Sequence, residues 1–295
     1  MTQGARDHIL QQFDNLSPQL QAAARFVVDH PNDVLIRSMR GVAELAGVPP
    51  STLVRLARQL GYDGWPALKS GFVHALGLDH PQGYADRAQR LAGQAHTHTL
   101  ADELFDAHSS NLERTRQHSA AVLAPLAQCL QSARQVYVAG FRASYPLAFA
   151  LLYGYRLFRD SVQSLDAHAH NLEMQLRPLG AKDVLVAISF APYSRECLEV
   201  AQLAKERGAR IVALTDSEAS PLARLAAHTA LFAVDSPSFF PSVAAGMALV
   251  EALLEQLVAL GDAQLPQRIQ KAESALVDSG VYVQGKQSLK AFRHR

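Results

Sequence analysis

The chain has few cysteines, few lysines and no long uninterrupted apolar run. Its only cysteines, Cys129 and Cys197, are far apart in helix-like surroundings. They fit neither a disulfide framework nor a zinc pattern, so a reducing cytoplasm is expected. Lysine supplies 6 of the 28 basic residues, a bias read first as genome composition and second as phosphate binding. The most apolar long stretch, Val243 to Leu260, is broken by Glu251, Glu255 and Gln256 at helical spacing. It reads as a core-facing amphipathic helix, not a membrane span. Met1 to His30 alternates apolar and charged residues without the apolar core of a signal peptide, so export is not expected. With 28 basic against 27 acidic residues the net charge is +1. That excludes a uniformly basic coat for nucleic acid but leaves room for a local basic face.

What is present is a globular composition, 48% hydrophobic and 19% charged, over 295 residues, enough for two domains and a large core. No internal repeat of fixed period occurs. Up to about Leu76 every segment has helical periodicity, interrupted at Pro31, Gly41, Gly47, Pro49, Gly61 and Gly64. An all-α unit over 1–77 is expected. Gly77 to Gly83, G-L-D-H-P-Q-G, breaks the pattern, so 78–99 is expected to be a linker. Helices are expected at Leu100 to Arg116, with Leu104, His108, Leu112 and Thr115 on one face, and at Ala120 to Ser132. Beyond Ala133, β-rich runs alternate with helical stretches. The runs are Gln135 to Ala139, Ser161 to Leu165, Val184 to Ile188, Ile211 to Leu214 and Leu231 to Val234. Helices fall at Tyr145 to Phe158, Glu196 to Arg207, Leu222 to Ala227 and Val243 to Leu260. This predicts a second, α/β domain over 100–295, with a five-stranded, mostly parallel sheet flanked by helices. The tail from Ser279 carries Lys286, Lys290, Arg293 and Arg295 without an acid and reads as a solvated end.

Arg40 to Tyr62, R-G-V-A-E-L-A-G-V-P-P-S-T-L-V-R-L-A-R-Q-L-G-Y, has the grammar of a helix-turn-helix. Such a motif needs a small residue on the first helix, a turn residue that tolerates positive φ, and apolar residues holding both helices. Ala43, Gly47, Val48, Leu53 and Leu56 supply these. Pro50 and Ser51 start the second helix, with Ser51 able to cap it. Leu53, Leu56 and Leu60 then face the core, while Ser51, Thr52, Arg55 and Arg58 project toward a DNA major groove. Arg37, Arg40 and Lys69 add to a locally basic surface and complete the expected DNA-contact set. The alternative is that Arg55 and Arg58 are an ordinary solvated face.

In a parallel sheet, ligands sit at the strand carboxyl ends, facing helix N-termini. The decisive turns are Gly140-Phe141-Arg142-Ala143-Ser144-Tyr145-Pro146, Ser189-Phe190-Ala191-Pro192-Tyr193-Ser194-Arg195-Glu196 and Thr215-Asp216-Ser217-Glu218-Ala219-Ser220-Pro221-Leu222. Three hydroxyl-bearing turns on one edge suggest an anion or polyol pocket; as single loops they are ordinary caps. Expected effector contacts are Gly140, Arg142, Ser144, Ser189, Tyr193, Ser194, Arg195 and Thr215.

Four segments carry a family resemblance: A-E-L-A-G-V-P-P-S-T-L-V-R-L-A-R-Q-L-G-Y, V-Y-V-A-G-F-R-A-S-Y-P-L-A, D-V-L-V-A-I-S-F-A-P-Y-S-R-E and I-V-A-L-T-D-S-E-A-S-P-L-A-R-L-A. Together, over about Leu16 to Leu260, they resemble an RpiR-type transcriptional regulator, a helix-turn-helix joined to a sugar isomerase (SIS) domain. The resemblance implies a cytoplasmic regulator, a homodimer or homotetramer, that binds operator DNA and senses a phosphosugar or related metabolite. No cofactor, metal, membrane or catalytic residue is implied. The family's phosphosugar-binding turns read G-x-G-x-S and S-x-S-G-x-T. This chain has Arg142 at the second glycine, Ala191 at the second serine, Pro192 at the glycine and Ser194 at the threonine. Pro192 removes an N–H donor and Ala191 a hydroxyl, while Arg142 brings a fork suited to phosphate or carboxylate.

The rival expectation is an SIS-type sugar-phosphate isomerase whose helical unit serves oligomerisation, with Glu173, Glu196, His168, His170 and His228 as candidate bases. His168-Ala169-His170 is read as a polar loop before a metal pair.

Overall fold

A computed structural model describes residues 5–30, 33–34, 37–75, 84–92, 99–166 and 172–281. Gly77 to Gly83, His168, His170, Lys286, Lys290, Arg293 and Arg295 lie outside the described residues.

Among the described residues, α1 (Ala5–Gln12), α2 (Pro18–Asp29), α3 (Met39–Leu45), α4 (Pro50–Gln59) and α5 (Trp65–Ala75) share one apolar core at the N-terminus. Ile9, Leu20, Val27, Val42, Leu53, Leu56, Trp65 and Leu68 are buried together at their centre. The α3–α4 turn depends on Gly47 at φ +65°, a left-handed conformation that a side chain disfavours. The chain then reverses sharply enough for the Val48 N–H to bond the Ala43 carbonyl at 3.0 Å.

A short polar helix, α6 (Tyr84–Leu91), lies within 78–99, where only a linker is expected. It has no buried residue, so it leaves no apolar stripe for sequence periodicity to report. The next helix, α7 (Thr99–Ser119), turns inward a face that keeps Leu104, His108 and Thr115 of the expected one but has Asn111 where Leu112 is expected. Asn111, Thr115 and Ser119 are buried, and Leu112 is exposed. Backbone hydrogen bonding is the reason. The Ser119 hydroxyl accepts from the Leu231 N–H and donates to the Leu231 carbonyl, both at 2.7 Å. Thr115 Oγ1 accepts from Ala233 N–H at 3.0 Å and the Asn111 amide donates to the Asp235 carbonyl at 2.7 Å. Polar side chains on one helical face thereby close a sheet edge whose backbone groups would otherwise be unpaired.

The remainder is α8 (Leu123–Gln131), β1 (Val136–Gly140), α9 (Tyr145–Arg156), β2 (Val162–Ser164), α10 (Leu172–Leu176), β3 (Val184–Ile188), α11 (Arg195–Glu206), β4 (Arg210–Thr215), β5 (His228–Leu231), α12 (Ala244–Ala259) and α13 (Leu265–Asp278). The five strands pair in the order β2-β1-β3-β4-β5, every pair parallel. β1 and β3 are buried at every position because helices cover both faces. Two expectations are corrected. Leu222 to Ala227 forms turns, because the Ala227 N–H bonds the Ile211 carbonyl at 2.8 Å and draws the chain onto the sheet. The last strand is His228–Leu231, not Leu231 to Val234; it is a polar edge strand whose apolar pattern is too weak to mark its start. Among the described residues no helix is long and apolar enough to cross a membrane.

Candidate functional site

The second helix of the helix-turn-helix, α4, divides cleanly. Thr52, Leu53, Leu56 and Ala57 are buried, and Ser51, Arg55, Arg58 and Gln59 are exposed. Thr52 therefore belongs to the packed face, a correction to its expected place in a groove. At 2% exposure it is one position inside the apolar stripe that Leu53 and Leu56 define. Ser51 does not cap the helix, which begins with Pro50 in its first turn and Pro49 at the N-cap with no side-chain bond. Ser51 remains exposed on the outer surface. Arg40 is exposed on α3. Arg37 and Lys69 are drawn inward instead: Arg37 pairs with Asp33 at 2.7 Å, and the Lys69 ammonium donates to the Arg37 carbonyl at 3.0 Å. Partial burial lowers the Lys69 pKa, because a desolvated ammonium is disfavoured. Among the described residues Arg40, Arg55 and Arg58 make no ion pair.

The second site lies where the sheet's connections reverse. The chain leaves β1 toward β2 on one side and later runs through β3, β4 and β5 on the other, which opens a crevice beyond the carboxyl ends of β1 and β3. A cavity of about 300 Å³ occupies it, lined by Tyr84, Phe141, Arg142, Ala143, Ser144, Ser189, Phe190, Pro192, Ser194 and Phe240. Gly140 makes its floor possible: a β-carbon there would lie 2.7 Å from Ala148 Cβ and 2.9 Å from the Ser144 carbonyl oxygen. Arg142 follows at φ +53°, a left-handed conformation at the place where the family pattern has glycine.

The structure brings Arg142, Ser144, Ser189 and Ser194 to this cavity. Gly140 is beneath it; Tyr193, Arg195 and Thr215 are not in its lining. Tyr193 instead donates to Asp216 at 2.7 Å, and its phenol pKa is raised by burial and then by the Asp216 charge. Arg195 pairs with Glu199 at 2.7 Å along α11. Thr215 is fully buried one strand away, its hydroxyl within 3.3 Å of Asp216.

Several loop donors that could hold an anion are engaged. Pro192 has none. The Ala191 N–H bonds Asp216 at 3.2 Å, the Ser194 N–H bonds the buried Ser189 hydroxyl at 3.0 Å, and the Ser194 hydroxyl caps α11 through the Cys197 N–H at 3.2 Å. Arg142 is engaged too: its guanidinium meets the Glu196 carboxylate at 2.5 Å. Glu196 is held down to about pKa 2, chiefly by that contact. Sequence reasoning missed Tyr84 and Phe240, whose rings pack at 5.2 Å across the cavity mouth. Neither lies in a strand-end turn. Phe141 and Phe190 lie within the strand-end turns but carry no hydroxyl or charge to mark them, and Pro192 lines the cavity as well as lacking an N–H donor.

Among the described residues the isomerase candidates Glu173, Glu196 and His228 do not assemble. Glu196 is ion-paired and strongly acidic, a poor base. Glu173 lies on α10, and His228 begins β5, at the sheet edge opposite the cavity. Among the described residues no group of three or more His, Cys, Asp or Glu side chains could hold a metal.

A basic helix-turn-helix joined to a doubly wound parallel sheet with a strand-end cleft is the architecture of a ligand-responsive DNA-binding protein. The helix-turn-helix domain model of the rpiR family matches residues 4–76, and the SIS domain model matches residues 129–256. The chain belongs to the RpiR-type helix-turn-helix regulators that carry a SIS domain. It is 27% identical over 219 residues to the HTH-type transcriptional regulator HexR of Pseudomonas aeruginosa, covering 74% of this chain and 75% of that one. It is 25% identical over 275 residues to YfhH of Escherichia coli, an uncharacterised HTH-type transcriptional regulator, covering 90% and 96%. The fold is shared with the Vibrio vulnificus NanR protein complexed with ManNAc-6P, at TM-score 0.56 and 19% identity over 93% of this chain and 98% of that one.

Proposed function

We propose that this protein is a DNA-binding transcriptional regulator whose SIS domain binds a small anionic metabolite and thereby alters operator affinity. The observation that carries the reading is α4, anchored by Leu53 and Leu56 and presenting Arg55 and Arg58 outward with no internal partner among the described residues. Such a helix enters a major groove, where arginine forks meet guanine edges and phosphates. Ser51 in its first turn and Arg40 on α3 complete the contact surface; the inward face with Thr52, together with Arg37 and Lys69, supports that surface from within.

The metabolite occupies the cleft between Phe141–Ser144 and Ser189–Ser194. NanR holds a phosphosugar, and a phosphosugar is one candidate here. With the Ala191 and Ser194 N–H groups of the β3 loop engaged, Pro192 lacking one and four aromatic rings around the cavity, the site also suits an anion with a less polar body. The protein works in the cytoplasm as a dimer or tetramer, so that two α4 helices reach half-sites about 34 Å apart or a multiple of that.

The test is fluorescence anisotropy with the chain's own upstream DNA, titrated with salt. Selective binding that weakens with salt, and its loss in the Arg55→Ala/Arg58→Ala variant with unchanged thermal stability, supports the reading. Wild-type affinity in that double variant overturns α4 as the DNA reader.

A further inference from the structure

Arg142, in the cleft lining, is neutralised by Glu196, and Arg195, just outside it, by Glu199. Arg87 on α6, one turn from the lining residue Tyr84, is not neutralised in this way among the described residues. Its Nε and Nη2 atoms are buried, with no hydrogen-bond partner among the described residues. A guanidinium stays charged at any physiological pH, and buried donors without an acceptor are both costly and rare. Such a pair of N–H groups therefore marks the place of an absent acceptor.

The surroundings say where that acceptor comes from. The Arg87 guanidinium stacks over the Tyr84 ring at 5.4 Å, the two residues sharing one face of α6 at i, i+3 spacing. Tyr84 lines the effector cavity and packs on Phe240. On the far side, Arg87 and Arg90 line a second cavity of about 340 Å³ with Leu100, Glu103, Ser236 and Pro237. The two cavities are thus built from the same helix face and the same 236–240 segment. Glu103 is exposed and makes no ion pair with Arg87 among the described residues.

We propose that Arg87 is the anion-binding residue of the effector site, taking a carboxylate or phosphate oxygen of a ligand whose body lies among Phe141, Phe190, Pro192 and Phe240. This rests on the regulator reading above and assigns the charge that the β3 loop does not supply. Because α6 lies between α5 and α7 in the chain, the anion is held by the segment that joins the two domains. Binding energy at Arg87 is then applied directly to the connection that sets the position of α4.

The test uses the full chain with inorganic phosphate and, separately, succinate as probes at constant ionic strength, read by calorimetry and thermal shift. Saturable binding of either probe to the wild type is expected; phosphate alone indicates a phosphorylated ligand, succinate alone a carboxylate. Arg87→Gln weakens it by about tenfold or more, since a charge-assisted fork is lost. Arg87→Lys, which keeps the charge without the fork, weakens it less, and so does Arg142→Gln. Neither probe binding the wild type, undiminished binding by Arg87→Gln, or a larger loss in Arg142→Gln each overturns the proposal. If Arg87→Gln does not fold, Arg87→Lys decides: weakened binding supports the assignment and wild-type binding defeats it. Probe-free operator binding, measured on the same proteins, is expected to persist in Arg87→Gln; its absence in the wild type defeats the regulator reading alone.

Discussion

On α4, Arg55 and Arg58 stand exposed and make no ion pair among the described residues, whereas at the strand ends Arg142 is fastened to Glu196 at 2.5 Å. The same side chain is used in opposite ways. An arginine without an internal partner keeps its full capacity for an external anion; one already forked onto a carboxylate must first give that up. Basic residues near a site are therefore informative only after their internal partners have been accounted for. By that measure α4 is open to DNA, Arg37 and Lys69 belong to the scaffold of the same domain, and the strand-end cleft is polar but mostly self-satisfied.

The most direct way to break the comparison is to remove the open side of it. Replacing Arg55 and Arg58 with alanine is expected to reduce operator affinity by about 100-fold or more, because each base or phosphate contact is worth about 1–3 kcal/mol. Arg37→Ala on the scaffold side is expected to change it far less. Equal losses in anisotropy titrations of the two variants would erase the distinction between free and engaged arginines.

A smaller effect, now on stability, comes from the floor of the cleft. Gly140→Ala places a β-carbon within 3 Å of both Ala148 Cβ and the Ser144 carbonyl oxygen. The backbone oxygen cannot swing aside as a flexible side-chain tip can. Overpacking of this kind costs about 1–3 kcal/mol and moves the turn carrying Arg142 and Ser144. A lowered midpoint in chemical denaturation, with weakened probe binding, is expected; Gly154→Ala, at the remote α9–α12 contact where only the movable Leu254 side chain faces the new β-carbon, is expected to cost less and to leave probe binding unaltered.

How much of this was legible depended on whether a residue answers to its neighbours in sequence or to those in space. The α4 face followed from 3.6-residue periodicity apart from Thr52, and β3 emerged at its expected bounds because an apolar run covered on both faces has little choice. The β5 edge was misplaced because H-T-A-L is a strand by virtue of its partners: β4 on one side, the hydroxyls of α7 on the other. The same cause hid Asn111 and Ser119 on the inward face of α7, where they serve a backbone 112 to 124 residues away. In the cleft, Arg142, Ser144, Ser189 and Ser194 came from strand-end turns, but Tyr84 and Phe240 come from segments that no local pattern connects to a sheet edge.

The α7 hydroxyls at the β5 edge have an effect of similar size. Ser119→Ala leaves the Leu231 N–H and carbonyl of the edge strand without their partner, a cost of about 1–2 kcal/mol, and amide exchange at Leu231 is expected to quicken. Ser109→Ala, on an exposed part of the same helix where the hydroxyl bonds only the Phe105 carbonyl, is expected to be close to neutral. Like destabilisation in both variants would mean that the edge is held by something other than the α7 hydroxyls.

The smallest expected effect concerns the closed arginine itself. Glu196 is depressed to about pKa 2 in the folded chain, Arg142 being the main cause, against about 4.3 for a free glutamate. A depressed acid stabilises the folded state above its unfolded pKa, and that contribution fades as pH falls from about 4.5 toward 2. Both side chains are partly exposed, so screening keeps the contribution small. Thermal midpoints followed between pH 6 and 3 should fall slightly more steeply in the wild type than in Glu196→Gln. The same substitution releases the Arg142 fork, converting the closed arginine to the open kind. Probe binding is then expected to gain a second, Arg142-dependent contribution while operator binding without effector stays as it was. Parallel acid profiles together with unchanged probe binding would mean that the ion pair neither stabilises the turn nor withholds Arg142 from an anion.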